Sequence, residues 1–204
     1  MFKKFLSGTF AAVLLILFLP LTISADPFKD IEITDGTTAV EADWFDSGTG
    51  NSYDADPQDA AHDSRPGEAP QTQVTAGYSG RDGVDPANNY CLTDIQSGEW
   101  VQYTVKVQKD GNYDFRAWLS ASSDVTSPGG VELYYDGDTN KIGYSGDPYP
   151  NGWQIYSEYL VGTWNMTAGT HVIKALFPYG GCNYNCYNNC CRSYNNTYNP
   201  SAVA

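Results

Sequence analysis

Few side chains in this 204-residue sequence are spaced for bond-making chemistry. His62 lies in a polar stretch and His171 opens an apolar one, and neither has a second His or a suitably spaced Ser or Cys to form a nucleophile and base. Five cysteines are present: Cys91, Cys182, Cys186, Cys190 and Cys191. The four-residue spacing of Cys182, Cys186 and Cys190 could suggest a metal knot, but there is no Cys-x-x-Cys pair and no nearby His, so disulfides are the favoured reading. An odd count leaves one thiol free or pairs it between chains. The richest chemistry is recognition: 14% of residues are aromatic, with 16 Tyr against 8 Phe, rings suited to surfaces with one wet edge.

Charge and the first residues set the compartment. Lys+Arg 11 against Asp+Glu 24 gives a net charge of -13, which repels phosphate backbones and anionic lipid, so nucleic acid is not an expected partner. Residues 1–25 read as a secretory leader: Lys3 and Lys4 precede an apolar run over 10–21 that closes on Ile23-Ser24-Ala25. Cleavage after Ala25 would leave 179 residues with 9 basic and 24 acidic side chains, net -15. No later stretch reaches the roughly 20 apolar residues of a bilayer span, so the mature chain is expected to be secreted, extracellular and without a membrane span, in a compartment where disulfides form. The sequons Asn165-Met166-Thr167 and Asn195-Asn196-Thr197 could carry glycans in a host with that machinery.

The elements that must position these groups are strands. Hydrophobicity repeats every second residue, most clearly over 100–107, where Val101, Tyr103, Val105 and Val107 share a face. A turn over 109–112 predicts a hairpin partner in which Tyr113, Phe115, Ala117 and Leu119 alternate with polar positions. Further strands are predicted over 131–135, ending in Asp136-Gly137, over 153–161, and over 171–177, the last apolar on both faces as in a central strand. Residues 48–89 are polar and contain Pro57, Pro66, Pro70 and Pro86, which reads as long loops with one short strand. No convincing amphipathic helix is present, so the expected fold is a single all-β sandwich or jelly roll. The expected organisation is a leader over 1–25, a β-sandwich over 26–187, and a Cys/Asn/Tyr-rich extension over 188–204.

Seven fragments, in order, resemble family 6 carbohydrate-binding modules: Val40-Glu41-Ala42-Asp43-Trp44-Phe45; Tyr53-Asp54-Ala55-Asp56-Pro57 followed by Arg65-Pro66-Gly67-Glu68; Gly98-Glu99-Trp100-Val101-Gln102-Tyr103-Thr104-Val105; Gly111-Asn112-Tyr113; Asp136-Gly137; Asn151-Gly152-Trp153-Gln154; and Ala168-Gly169-Thr170-His171. The resemblance implies a jelly roll with a structural Ca²⁺ near its opening strand and a ligand site in the loops at one end. It maps the cation's ligands onto Glu41, Asp43 and Asn185, the last standing where the family has Asp. Positions i and i+2 of a strand point the same way, and oxygen-only ligands suit Ca²⁺.

A pyranose presents a flat C–H face that an aromatic ring can cover and hydroxyls that carboxylate and amide groups can meet. Trp153 matches the family's stacking residue, and Gly152 before it predicts exposure at a loop-to-strand junction. Asn183 matches its hydrogen-bonding Asn, and Asp54 an acidic position beside the site. The family's second ring falls on Asp94, which cannot stack on a sugar, so Tyr90 or Tyr78 is expected to supply it, or the cleft has one platform and polar walls. Trp100, Tyr103, Tyr113 and Phe115 are expected in the core or on a sheet face.

The resemblance thus implies a secreted, non-catalytic protein that binds a plant- or microbial-type cell-wall polysaccharide or its oligosaccharides. Two rivals stand beside it. A compact jelly-roll glycosidase would need two carboxylates about 5 Å apart in a retaining enzyme, and Glu68, Glu99, Glu132 and Glu158 are available. A disulfide-linked structural wall protein would use the cysteine-rich tail to join chains.

Overall fold

A computed structural model of the chain describes residues 27–34, 36–47, 72–74 and 90–192, with only the backbone described at 72–74 and 186–192. The regular structure of the described residues is almost wholly strand: β1 (Ile31–Ile33), β2 (Thr37–Glu41), β3 (Thr72–Val74), β4 (Tyr90–Leu92), β5 (Glu99–Val107), β6 (Gly111–Ser120), β7 (Glu132–Tyr135), β8 (Lys141–Tyr144), β9 (Ser157–Met166), β10 (Gly169–Phe177) and β11 (Asn183–Arg192). A single 3₁₀ turn, Ala42–Trp44, follows β2. Two sheets face each other. One runs β1-β5-β10-β7-β8; the other runs β3-β4-β11-β6-β9, with β2 also paired to β11. The protein is a β-sandwich jelly roll, as the sequence predicts.

Alternation accounts for the core. In β5, Val101, Tyr103, Val105 and Val107 are buried while their neighbours are not, and in β6 Tyr113, Phe115, Ala117 and Leu119 are fully buried. These two inward faces meet residues such as Leu133, Ile173, Phe177 and Tyr184 in one apolar cluster. Trp100 takes the outer face of its sheet, where the Lys174 ammonium lies 4.4 Å from its ring centre. Asp46 is buried beside β5 and satisfied there, its carboxylate accepting from the Thr104 backbone N–H at 3.0 Å and hydroxyl at 2.7 Å.

Two sequence expectations are corrected. β5 and β6 are not a hairpin: they belong to different sheets, and residues 108–110 carry the chain across the sandwich. The crossing is fixed by the Gln108 N–H on the Ile33 carbonyl (2.9 Å) and by the Tyr113 hydroxyl on the Lys109 carbonyl (2.6 Å). Alternation reports which face a residue takes, and both strands face the same core from opposite sides. The strand expected from 153 begins instead at Ser157, because Gly152 at φ +139° and a turn closed by the Ile155 N–H on the Gly152 carbonyl (3.0 Å) precede it. The last strand, β11, runs to Arg192, and residues 193–204 of the expected extension lie outside the described residues.

At one flank the two sheets meet backbone to backbone through glycines. A Cβ added to Gly143 of β8 would stand 2.0 Å from the Val161 carbonyl oxygen of β9, and one added to Gly162 of β9 would stand 2.4 Å from the Ile142 oxygen. Neither strand can approach the other this way with a side chain in place. The expected segment 1–25, Asp54, Tyr78, His62, Glu68 and the Asn195 sequon lie outside the described residues, as do the side chains of Cys186, Cys190 and Cys191. Cys91 and Cys182 are buried thiols, and burial pushes the Cys182 thiol up to about 12.

Candidate functional site

The strand order places four loops at one pole of the sandwich: 93–98 between β4 and β5, 121–131 between β6 and β7, 145–156 between β8 and β9, and 178–182 between β10 and β11. Backbone hydrogen bonds lock them together. Gly129 N–H donates to the Gly180 carbonyl (2.7 Å), Gly181 N–H to Ile95 (3.0 Å), Ser145 N–H to Val131 (3.0 Å), and the Asn151 and Gly152 N–H groups both to Ala121 (3.0 and 2.8 Å). Glycine makes this closeness possible at Gly130, where a Cβ would stand 2.0 Å from the Gly146 oxygen. The Tyr144 hydroxyl spans two of the loops, accepting from Gly130 N–H (2.9 Å) and donating to Asp147. Burial and the Asp147 acceptor push that phenol up to about 12, so it remains a donor at neutral pH.

This pole carries three of the four large exposed aromatic side chains among the described residues, the fourth being Phe28 ahead of β1. Trp153 is 39% exposed, Tyr149 75% and Tyr179 69%, and Ile155 is exposed beside them. Sequence reasoning selected Trp153 and missed the two tyrosines. Their signal was local: Pro148-Tyr149-Pro150 and Pro178-Tyr179-Gly180 hold each ring in a context that no strand can use. Trp153 sits on the 152–155 turn, and its carbonyl oxygen accepts two side-chain donors, the Ser120 hydroxyl at 2.5 Å and the Asn183 amide nitrogen at 3.1 Å. Asn183 therefore lies next to Trp153, and it is only 4% exposed.

The pattern of the family whose fragments the sequence resembles matches over residues 67–188, more than half of the chain. The chain belongs to the family 6 carbohydrate-binding modules. Its fold is similar to that of the C-terminal family 6 module of LamC, a marine laminarinase from Zobellia galactanivorans, at 17% identity and a TM-score of 0.50, covering 76% of this chain and 98% of that one. A β-1,3-glucan-binding family 6 module from Bacillus halodurans is similar at 19% identity and a TM-score of 0.50, over 78% and 97% of the two chains. So is a family 43 arabinoxylan arabinofuranohydrolase from Bacillus subtilis, at 19% identity and a TM-score of 0.55, over 80% of this chain and 28% of that enzyme. No curated protein matches.

The remaining expected residues of the module are spread between the pole and the strands. Asp94 lies in the 93–98 loop, exposed and in the left-handed region at φ +52°. Tyr90 opens β4 two residues before core residue Leu92; it is half-buried, and its carbonyl accepts from the Asn185 amide at 3.1 Å. Glu41 ends β2, whereas Asp43 falls within the 3₁₀ turn, so the i and i+2 strand argument does not relate them. Both carboxylates are nevertheless buried, and so is Asn185 on β11, whose next residue, Cys186, pairs with Glu41. Among the described residues no group of three or more His, Cys, Asp or Glu gathers to hold a metal, the third expected donor being an amide.

A hollow of about 710 Å³ lies on the flank of β1 and β5 and is lined by Lys29, Glu32, Thr104, Lys106 and Thr170 among others. None of its lining residues is aromatic, so it offers no stacking face.

Proposed function

We propose that this module is secreted and, without catalysing a reaction, holds a cell-wall polysaccharide by stacking a sugar ring on Trp153. The observation that carries the reading is the half-exposed indole on a turn whose backbone is bonded to two strand ends. A platform fixed in advance loses little conformational entropy on binding. Tyr149 and Tyr179, both far more exposed than Tyr90, are the rings we propose to extend it. Asp94 and Asp54 would accept hydroxyl protons, which fits a carboxylate at the position where other members keep a ring. Sugar hydroxyls exchange water for protein partners at little net gain, so dissociation constants of tens to hundreds of micromolar, about -5 to -6 kcal/mol, are expected.

Incubation with β-glucan, xylan and agarose, followed by pull-down and a reducing-sugar assay, tests the reading. β-Glucan leads the set because the Bacillus halodurans module binds it. Retention without sugar release is expected. Release of reducing ends would establish the glycosidase reading, and multimers that vanish on reduction, with no retention on any glycan, the wall-protein one.

We further propose that Glu41, Asp43 and Asn185 hold a structural Ca²⁺. All three side chains are buried, and two carboxylates with an amide make an oxygen donor set suited to a hard cation. Calcium present at a hundredfold its dissociation constant would add about 2.7 kcal/mol of stability, or about 5–10 °C in Tm for a domain of this size. Thermal unfolding in EDTA and in millimolar Ca²⁺ checks this; melting temperatures within 1 °C of each other would remove the cation from the account.

A further inference from the structure

The polar groups behind Trp153 differ from what a sugar-contacting Asn requires. Asn183 is 4% exposed and its amide nitrogen is directed at the Trp153 carbonyl at 3.1 Å. A carbonyl only accepts, which fixes the nitrogen rather than the oxygen on that side. Ser120, 1% exposed at the end of β6, donates to the same oxygen at 2.5 Å. Asn183 and Ser120 are themselves directly paired across β11 and β6, so the two donors leave adjacent strands of one sheet and converge on one atom of a loop. The same loop is tied to the end of β6 a second time, by the Asn151 and Gly152 N–H groups on Ala121. Tyr156, 7% exposed, has its hydroxyl beside Cys91, Ser120 and Asn183.

We infer that Asn183 and Ser120 are positioning residues: together they clamp the Trp153 carbonyl and so set the tilt of the indole, and Asn183 does this instead of hydrogen-bonding the saccharide. The inference rests on Trp153 being the sugar platform. An amide committed to a backbone carbonyl in a buried site has little freedom to turn toward a ligand without leaving that carbonyl unsatisfied. Two donors on one oxygen also fix direction, which a single bond does not.

The test uses the module labelled with 5-fluorotryptophan. Trp153→Phe assigns the Trp153 ¹⁹F resonance, and affinity for a soluble β-glucan oligosaccharide is measured in parallel. Ser120→Ala removes one oxygen and no sugar contact. Asn183→Asp keeps shape and an acceptor for hydroxyls but turns an acceptor oxygen on the carbonyl. The clamp predicts that both variants shift or broaden the Trp153 resonance in the ligand-free protein and weaken binding, each by about fivefold as expected for one hydrogen bond. It also predicts that the double variant loses less than the product of the two, since both act on one atom. Urea unfolding confirms that each variant is folded before it is scored, and if Asn183→Asp does not fold, Ser120→Ala decides alone. An unmoved resonance with full affinity in Ser120→Ala overturns the clamp. So does an Asn183→Asp variant that binds as the wild type does. If Trp153→Phe and Trp153→Ala retain affinity while the resonance still moves, the platform has failed and the clamp, as a structural device, has not.

Discussion

Replacing Trp153 with Ala is expected to abolish retention of the module on polysaccharide while leaving its unfolding nearly unchanged. The indole is partly exposed on a turn, so its removal opens no large hole in the core. The turn itself is held through backbone groups, because the Trp153 carbonyl and the Asn151 and Gly152 N–H groups survive the substitution. Stability should change by no more than about 1 kcal/mol. Affinity should fall at least about tenfold, 1.4 kcal/mol, which takes a weak sugar complex beyond detection by pull-down. Affinity electrophoresis with a soluble glucan, alongside thermal unfolding, reads both quantities. Undiminished retention would refute the placement of the platform, and a large loss of stability would show that the ring serves the fold.

Gly143→Ala should have the opposite signature, a large loss of stability with no direct effect on the site. Its new methyl would stand 2.0 Å from the Val161 oxygen, far inside van der Waals contact, and the opposing atom is backbone. Relief requires β8 or β9 to move, yet β8 is paired to β7 and β9 to β6 along its length. Overpacking a well-packed core costs about 1–3 kcal/mol where side chains can give way, so about 3 kcal/mol or more is expected where they cannot. The midpoint of urea unfolding measures it. A change below about 0.5 kcal/mol would mean that the flank of the sandwich is open enough to admit a side chain.

These two residues differ in how far the sequence revealed them. Trp153 was legible because it follows Gly152 within a fragment that resembles the family, and the structure gives it an exposed turn. Gly143 was not, since a glycine on a short strand is explained only by the carbonyl that meets it from another sheet. The strands themselves were legible wherever one face is buried and the other wet, as in β5 and β6. Their partners were not: the alternation that marks Val101 and Tyr113 as inward is the same whether the two strands lie side by side or face each other. Asn183 was found by resemblance, but the contact of its nitrogen with the Trp153 carbonyl was not legible, because it joins residues 30 positions apart. Tyr149 and Tyr179 carry no periodicity, so their exposure became visible only once the loops holding them were seen at one pole.

On the proposed reading, saccharide is received by the pole of loops 93–98, 121–131, 145–156 and 178–182. Titrating ¹⁵N-labelled protein with a soluble oligosaccharide, chosen by retention on the corresponding polysaccharide, tests it most directly. Backbone amide shifts should change within those four segments, most at 151–155 and around Tyr179, and leave β1 and the start of the chain undisturbed. Shifts that centre on the hollow of Lys29, Glu32 and Lys106, with the Trp153 turn unmoved, would contradict the account.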